Sequence, residues 1–500
     1  FKEYDDVGGS ISTLTIHFTN KLNNLSNTYR TPAIHMEGFA VVTNKCPVIP
    51  NRGIGKPGMC YIWERMMDRV AQALNLSPIE VRRKNLIQPS EMPYQTISGN
   101  IYDSGDYPGL LSTLLEKIDY DKLREEQRRE REKGRLIGIG IVIGVEPGGR
   151  NAARDMAIFP EMKEPPGSGG INGATIKLEK NGTLSLHLGS PNCGQAHETT
   201  TAQVAADILG TAPDQISTSI PFDSDLSPWG VAAANSGNNF HLYDIGAIHG
   251  AATRLREKIL KLSAHVLNVD AKELTIDNGV VQVPGSATKK VTFAELGRIA
   301  YNNQHLIPDD MEAGLQATFY YTFPHAKPNI VPGADRLVRA QFTFSAGAHA
   351  AIVEVDKATG KVEVLRYLIV GDNGTVINPD VVNGQVYGSA AHGIAVALGE
   401  GFIYSPEGQP LTITYLDYGK CSTAETPKVE VIHRPSPSPF TTLGQKAAGE
   451  GAAIPSPAAI ASAVEDALTP LGVKVNDLPL TPEAVWRLVN HNPEKERRTF

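Results

Sequence analysis

Four loops of small residues, each leading into a helix, limit the folds open to this chain more than any other feature. They occupy residues 51–58, 189–197, 227–237 and 445–453. Glycine lets one backbone approach another closely, and the free N–H groups at a helix N-terminus attract anions. The loops therefore favour a mixed α/β protein with functional loops, although each loop taken singly is also consistent with an ordinary turn.

Glu450 is the only acidic residue in the last of these loops. Gly449 and Gly451 flank it and add no side-chain bulk on either side. This spacing predicts that another group approaches the Glu450 carboxylate closely. The alternative is an exposed glutamate in a glycine turn.

Length, charge and cysteine content exclude several classes of protein. A chain of 500 residues is too long for one core, so we expect two or more packed units. The net charge of −7 argues against nucleic acid as a partner. No apolar run approaches the roughly 20 residues of a membrane helix, and the start shows no signal peptide. The 4 cysteines include no CxxC pair, so no zinc or thiolate-held cluster motif is present, and a reducing, cytoplasmic location is expected.

Periodic apolar residues predict the elements between the loops. A helix starts near Met59, a hairpin turns at Asn181-Gly182, and a longer hairpin spans 341–371. Residues 136–145 alternate glycine with isoleucine or valine, as in a buried strand that lies close to another backbone.

Two further segments organise the chain. The Gly/Pro-rich residues 146–173 predict a long loop that acts as a lid or pocket wall. The charged run 122–135 predicts a solvated helix face and is the best candidate for a domain boundary.

Five sets of motifs occur in a fixed order along nearly the whole chain. They are residues 29–32 with 51–57, 67–71 with 80–85, 194–200, 353–360 with 372–379, and 446–450 with 478–482. In this order they resemble the molybdopterin-binding subunit of the xanthine dehydrogenase / aldehyde oxidase family of molybdenum hydroxylases. The resemblance implies an α+β fold of two elongated mixed α/β units. Residues 1–135 would be the remaining part of the first molybdenum-binding domain, and 136–500 the second.

The resemblance also implies a set of functional residues. Glu450 would be the general base in the hydroxylation of an electron-poor carbon with oxygen from water, and a small, apolar surrounding would suit it to that task. The molybdenum would be held by the dithiolene sulfurs of the pterin, with no protein ligand. The cofactor-binding residues would be Arg52, Gly194, Gln195, Ala196, Ala233, Ala234, Lys446 and Gly449. The substrate pocket would include Ile54, Gly148, Gly149 and Arg150.

The cofactor and partners follow from the same resemblance. We expect a molybdopterin, with or without a cytosine dinucleotide, and iron–sulfur clusters and FAD on other subunits. The family's G-G-x-F-G loop is absent from these 500 residues. A second molybdopterin-binding subunit is therefore expected to complete the site, together with an iron–sulfur subunit, an FAD subunit and a small-molecule substrate.

The chain departs from the family pattern at several points. Ala196 replaces the third residue of a G-Q-G turn, His392 stands where many members have glutamine, and Gly451 replaces a common proline. No cysteine follows Arg52, which disfavours the carbon monoxide-oxidising branch.

Three hypotheses remain open on the sequence alone. The first is a hydroxylase that acts on a heteroaromatic ring, an aldehyde or an acyl-CoA-type substrate. The second is a non-redox hydratase on the same scaffold, and the third is a non-catalytic subunit that binds the cofactor.

Overall fold

The computed structural model describes residues 1–9, 17, 20–21, 24–151, 169–219, 222–233, 235–326 and 339–490. Its strands are β1 (Lys2–Gly8), β2 (Glu37–Val42), β3 (Tyr94–Gln95), β4 (Ile101–Tyr102), β5 (Leu136–Arg150), β6 (Ile171–Leu178), β7 (Leu184–Leu188), β8 (Ile216–Ser219), β9 (Thr275–Asp277), β10 (Val280–Gln282), β11 (Lys290–Thr292), β12 (Gln316–Thr322), β13 (Gln341–Val355), β14 (Val362–Asp372) and β15 (Val429–His433). Its helices are α1 (Lys56–Leu74), α2 (Pro78–Asn85), α3 (Tyr107–Lys117), α4 (Tyr120–Glu132), α5 (His197–Leu209), α6 (Ile245–Leu267), α7 (Phe293–Asn302), α8 (Pro379–Leu398), α9 (Tyr415–Tyr418), α10 (Ser456–Leu468) and α11 (Pro482–Asn490). A π-helical turn at Phe240–Asp244 leads into α6. The expected α+β class is confirmed.

The central sheet has the strand order β15-β14-β13-β5. Strands β13 and β14 form the long antiparallel hairpin expected from the sequence, and β15 adds to β14 in parallel. On the other side β13 pairs antiparallel with β5 from Gln341 opposite Arg150 to Val355 opposite Leu136. This long pairing fixes which residues of β5 face each side of the sheet.

The two faces of β5 pack against different partners. Ile139, Ile141 and Ile143 point into a core shared with the helices of the first part of the chain. The opposite face presents glycines, because side chains alternate along a strand. A Cβ added to Gly140 would overlap the Ala459 carbonyl oxygen of α10. The alanine-rich helix α10 thus lies directly on the backbone of β5, which explains the Gly/Ile/Val alternation.

The segment before α10 continues along the same face of β5. The Pro455 ring lies over Gly144, with its Cγ 2.9 Å from the position of an added Cβ. Farther along, an added Cβ on Gly148 would be 2.7 Å from the Ala447 Cβ. The loop 445–453 is therefore held against the strand at alternate residues, and Glu450 lies between these two contacts.

The prediction of one long loop over 146–173 is wrong at both ends. Strand β5 continues to Arg150, since its ladder with β13 extends that far, and β6 begins at Ile171. The backbone pairing overrides the local Gly/Pro signal. Residues 152–168, the centre of the proposed lid, lie outside the described residues.

A second four-stranded sheet has the strand order β12-β6-β7-β8. Strands β6 and β7 form the predicted hairpin, and Gly182 in its turn has a positive φ of 92°. Helices α5 and α6 cover this sheet and close an apolar core. The chain passes from β7 into the turn that begins α5, so the first residues of α5 stand at the edge of the sheet.

The proposed boundary at 135/136 stays a prediction. The charged run forms α4, a mostly exposed helix in which only Gln127 is buried. Residues from before the boundary, such as Leu111 and Leu114, share one apolar core with Ile143 of β5. Within the described ranges no helix is long and apolar enough to cross a membrane.

Candidate active site

All four small-residue loops meet at one cavity of about 490 Å³. Its walls come from the loop before α1, the turn before α5, residues 235–245, the start of α8 and the segment 445–450. Loops separated by up to four hundred residues in the sequence are thereby brought to a single site.

Two helices begin at this cavity, and a third begins close by. Helix α5 begins at His197, and α8 is capped by Asn378, whose Oδ1 accepts the Val381 N–H at 3.0 Å. Helix α1 begins at Lys56, behind the lining residues Arg52 and Glu450. The N-terminal end of a helix carries a partial positive charge and free N–H donors. Their convergence makes the cavity suited to an anionic ligand.

Glu450 lines the cavity, and its carboxylate is held from the α1 side. Lys56 forms an ion pair with Oε2, and the Gly53 N–H donates to Oε1 at 3.3 Å. The Lys56 side chain is 4% exposed and that of Glu450 16%. The expected apolar surrounding of Glu450 is wrong, because a nearly buried ammonium group lies against it.

Glu146 of β5 is a second carboxyl group at this place. It is 1% exposed and accepts hydrogen bonds from the Glu450 N–H, from Asn238 Nδ2 at 2.9 Å and from Ser345 Oγ at 3.1 Å. Burial, and next the negative charge of Glu450, raise the pKa of Glu146 to about 7. Glu146, which is buried, and Glu450, which lines the cavity, therefore lie side by side in different environments.

The glycines that flank Glu450 serve these contacts. A Cβ on Gly451 would be 2.6 Å from Glu146 Oε2, and one on Gly449 would overlap Asn238 Oδ1. The sequence predicted from this spacing that another group approaches the Glu450 carboxylate closely. The space beside the two glycines is filled by Glu146 and Asn238, so the glycines permit the loop to pack against the chain itself.

Arg52 connects the cavity wall to the Glu450 loop. Its Nε donates to the Gly449 carbonyl oxygen, and its Nη2 donates to Gln385 Oε1 of α8 at 2.9 Å. Burial lowers the pKa of Arg52 from its ordinary value, while Glu146 and Glu450 oppose this effect. The guanidinium group thus supplies a fixed positive charge at the cavity edge.

The turn before α5 leaves open space above its backbone. Gly194 lines the cavity at a φ of 95°, and an added Cβ would meet nothing within 4 Å. The side-chain Oε1 of Gln195 accepts the Cys193 N–H at 2.7 Å and so braces the turn. Ala196 takes a left-handed conformation with φ 59° at the start of α5 and does not line the cavity.

Two polar atoms on this wall have no hydrogen-bond partner among the described residues. They are Nδ1 of His197, a side chain that is stacked on Phe240, and Oδ1 of Asn235. Burial lowers the pKa of His197 to about 4, so its ring is neutral at pH 7. Both atoms are available to a ligand.

The remaining predicted residues differ in their placement. Lys446 lines the cavity, but its ammonium group pairs with Asp372 at 2.9 Å and both side chains are fully buried. Ala233 lies in the turn that follows Gly230, away from the cavity lining, and Ala234 is outside the described residues.

The predicted substrate-pocket residues lie behind the cavity wall. An added Cβ on Gly148 would be 2.8 Å from His241, whose ring lines the cavity. Gly149 packs on Leu242, the Arg150 N–H donates to Asn239 Oδ1 at 2.9 Å, and the Ile54 carbonyl accepts Asn20 Nδ2 at 3.0 Å. Their assignment to a substrate pocket stays a prediction.

Sequence reasoning missed Glu146, Lys56 and Asn238. A signal for Glu146 exists, since it is the single charged residue among the apolar and glycine residues of 136–149. Lys56 is a cation of the 51–58 loop, but nothing in the local sequence connects it to Glu450.

Two segments of the chain match protein-family models that carry the same description. Residues 1–86 and residues 113–427 each match a molybdopterin cofactor-binding domain. The second match alone spans more than half of the chain and contains every wall of the cavity except the 51–58 and 445–450 loops.

Individual relatives agree with this match. The nicotine 6-hydroxylase large subunit of Paenarthrobacter nicotinovorans is 32% identical over 462 residues, which are 92% of this chain and 53% of the relative. The carbon monoxide dehydrogenase large chain of Hydrogenophaga pseudoflava is 32% identical over 473 residues, 93% of this chain and 55% of the relative. Quinoline 2-oxidoreductase from Pseudomonas putida 86 superposes with a TM-score of 0.84 at 31% identity, over 97% of this chain and 59% of that chain. The chain thus spans about half the length of the curated relatives it matches.

Proposed function

Because the chain belongs to the molybdopterin cofactor-binding domains of the xanthine dehydrogenase family, we propose that it forms one wall of the active site of a molybdenum hydroxylase. The observation that carries the proposal is the position of Glu450 at the cavity where α5 and α8 begin. A carboxylate there can accept a proton beside a site built for an anion.

The residues of the cavity fit the cofactor. A molybdopterin is polyanionic, and the two helix N-termini, Arg52 and the open turn at Gly194 offer positive charge and N–H donors. His197 Nδ1 and Asn235 Oδ1 add two polar atoms without partners among the described residues. When bound, the cofactor supplies the redox metal at which oxygen from water is transferred to the substrate.

Glu450 would act as the general base. Its Oε2 is engaged by Lys56, whereas Oε1 has, among the described residues, only the long Gly53 N–H contact at 3.3 Å. We assign the proton-accepting role to Oε1 for that reason. Arg52 positions the same loop through the Gly449 carbonyl oxygen.

The substrate class we propose is a nitrogen heteroaromatic ring. The named substrates of two of the similar proteins, nicotine and quinoline, are of this kind. Residues 53–58 contain no cysteine, unlike the expectation for a carbon monoxide-oxidising enzyme. Such rings have an electron-poor carbon next to nitrogen, which suits attack by oxygen.

The remaining wall of the site would come from protein beyond these 500 residues. The matched residues cover only 53% and 55% of two relatives named as a large subunit and a large chain. We propose that iron–sulfur and flavin groups on partner subunits carry the electrons away, so that the active protein is a multi-subunit complex.

The first experiment measures metal and cofactor in the complex purified from its native host. Molybdenum and pterin in about equal amounts are expected. Dye reduction is then assayed with nicotine, quinoline, xanthine, benzaldehyde and carbon monoxide. Molybdenum without dye reduction, but with water added to a substrate, would favour the hydratase, and absence of molybdenum would contradict any catalytic role in this family.

The second experiment tests the base. Glu450→Gln is expected to retain molybdenum and lose roughly 10²–10⁴-fold in kcat, the usual contribution of a general base. Glu312→Gln, a change at a side chain that is 80% exposed in the loop before β12, is the control and should keep full turnover. Retained turnover in Glu450→Gln would refute the assignment.

A further inference from the structure

We propose that Glu146 is a positioning residue, which holds the Glu450 segment at the cavity through the Glu450 backbone N–H and through Asn238. Its catalytic consequence rests on the proposed role of Glu450 as base. The positioning itself is a property of this chain and can be tested independently of turnover.

The contacts of Glu146 converge on the base from one side. Its Oε1 accepts the Glu450 N–H and Asn238 Nδ2 at 2.9 Å, and its Oε2 accepts Ser345 Oγ at 3.1 Å. All three partners donate, which is the pattern that a carboxyl group satisfies. Because Ser345 belongs to the central sheet, the segment is tied to a rigid element.

The same contacts exclude a looser arrangement of the loop. Asn238 uses its Nδ2 on Glu146 and turns its Oδ1 toward Gly449. A Cβ added to Gly451 would lie 2.6 Å from Glu146 Oε2. Glu146 and Asn238 therefore fill the space on both sides of Glu450, and any larger residue in the loop would displace the base.

The charges around Glu146 explain how a buried acid is tolerated there. Glu450 faces it with a negative charge, while Lys56 and Arg52 bring positive charge from the α1 side. His241, which packs on the same strand, is neutral because burial lowers its pKa to about 4. The negative charge of Glu146 is thus compensated by the same cations that lie beside Glu450.

Two substitutions at Glu146 separate position from charge. Glu146→Gln keeps Oε1 as the acceptor for Glu450 and Asn238, and the Ser345 hydroxyl can turn to accept from the new amide. Glu146→Leu removes every acceptor at similar volume. Hydrogen–deuterium exchange of the segment 447–452 in the native complex is the primary measurement.

The expected results differ for the two variants. In Glu146→Leu the Glu450 amide should exchange about tenfold faster or more, as for the loss of one hydrogen bond. In Glu146→Gln its exchange should stay within about twofold of the wild type, because the acceptor is retained. The kcat per molybdenum should fall roughly 10²-fold in Glu146→Leu with little change in KM, since misplacing a catalytic group has an effect of this size.

Two controls keep the outcome unambiguous. Asp244→Asn alters another fully buried carboxyl group, one that accepts from Asn172 and Ser190, and should leave exchange of 447–452 unchanged. If Glu146→Leu does not fold, Gly451→Ala tests the same contact, since its added Cβ would push against Oε2 and should raise the exchange rate. Wild-type exchange of 447–452 in either of these disrupting variants would overturn the proposal.

Failure of the proposed function would look different. In that case Glu450→Gln would stay active, yet exchange of 447–452 would still respond to Glu146→Leu. A merely structural Glu146 would instead lower the melting temperature in Glu146→Leu and leave both local exchange and kcat per molybdenum as in the wild type.

Discussion

At the scale of single residues, the ion pair of Lys56 with Glu450 gives a direct test of the Glu450 surroundings. Removing one partner of a nearly buried pair leaves the other charge without compensation. Lys56→Met should lower the free energy of unfolding at pH 7 by about 1–3 kcal/mol, less than for a fully buried pair because Glu450 keeps some exposure. Urea denaturation measures the change.

Lys258→Met is the matched control for this prediction. Lys258 pairs with Glu312 at 2.9 Å, but on the surface of α6. Solvent screening makes such pairs nearly neutral for stability. An equal loss of unfolding free energy in both variants would contradict a larger contribution of the Lys56–Glu450 pair to stability.

Ala196 offers a second test at residue scale. Its φ of 59° and ψ of 39° lie in the left-handed region, which is unfavourable for any residue with a Cβ. Ala196→Gly should therefore raise the free energy of unfolding by about 1 kcal/mol. Ala202→Gly, inside the same helix, should lower it by about the same amount. Calorimetry of the two variants gives opposite shifts in Tm, and a destabilised Ala196→Gly would contradict the strain.

At the scale of elements, the contact of α10 with β5 decides where Glu450 lies. The glycines of β5 let the helix approach, and the segment before the helix then follows the strand as far as Ala447. A helix held farther away would carry Glu450 out of the cavity. The position of the 445–453 loop is thus set by residues that have no side chain.

Gly140→Ala tests this contact. The added Cβ would overlap the Ala459 carbonyl oxygen, and backbone cannot move aside as a flexible side chain can. The expected loss of unfolding free energy is about 1–3 kcal/mol, as for other overpacked cores. Gly58→Ala in α1, where an added Cβ meets nothing within 4 Å, should be neutral or stabilising. Equal effects of the two changes on urea midpoints would contradict the close packing.

Elements with local signals could be predicted from the sequence. The hairpin at Asn181-Gly182 and the helix after the 51–58 loop follow from spacing within short segments, and the family follows from the resemblance of short motifs. The partners of Glu450 could not, because Lys56 lies 394 residues away and the Glu146 contact spans 304 residues. Glycines next to an acid do not reveal whether a ligand or the chain itself fills the space, and here the chain fills it.

At the scale of the whole molecule, buried titratable groups give stability two opposing dependences on pH. Burial raises the pKa of both Glu146 and Asp244 to about 7, and lowers that of His197 and His241 to about 4. The buried histidines favour folding at neutral pH and weaken it below about pH 6.5, where only the unfolded chain takes up their protons. The buried acids act in the other direction, so the optimum is set by their balance.

Glu146→Gln isolates one of these contributions. The pKa of Glu146 is higher in the folded protein, about 7, than its ordinary value of 4.5. The folded state therefore binds more protons between these values, and stability falls as pH rises. The contribution is complete below about pH 4.5 and is lost as pH passes through 7, a difference of about 3 kcal/mol.

The measurement is the difference in unfolding free energy between wild type and Glu146→Gln at pH 5 and at pH 8. Glutamine does not titrate, so the wild type should lose about 2–3 kcal/mol relative to the variant between these two pH values. Asp244→Asn should show a change of the same sign, since the pKa of Asp244 is also raised to about 7. A difference that is independent of pH in Glu146→Gln would mean that Glu146 is already ionised at pH 5. The positive charges of Lys56 and Arg52 would then outweigh burial, and Glu146 would hold the Glu450 segment as a permanent carboxylate.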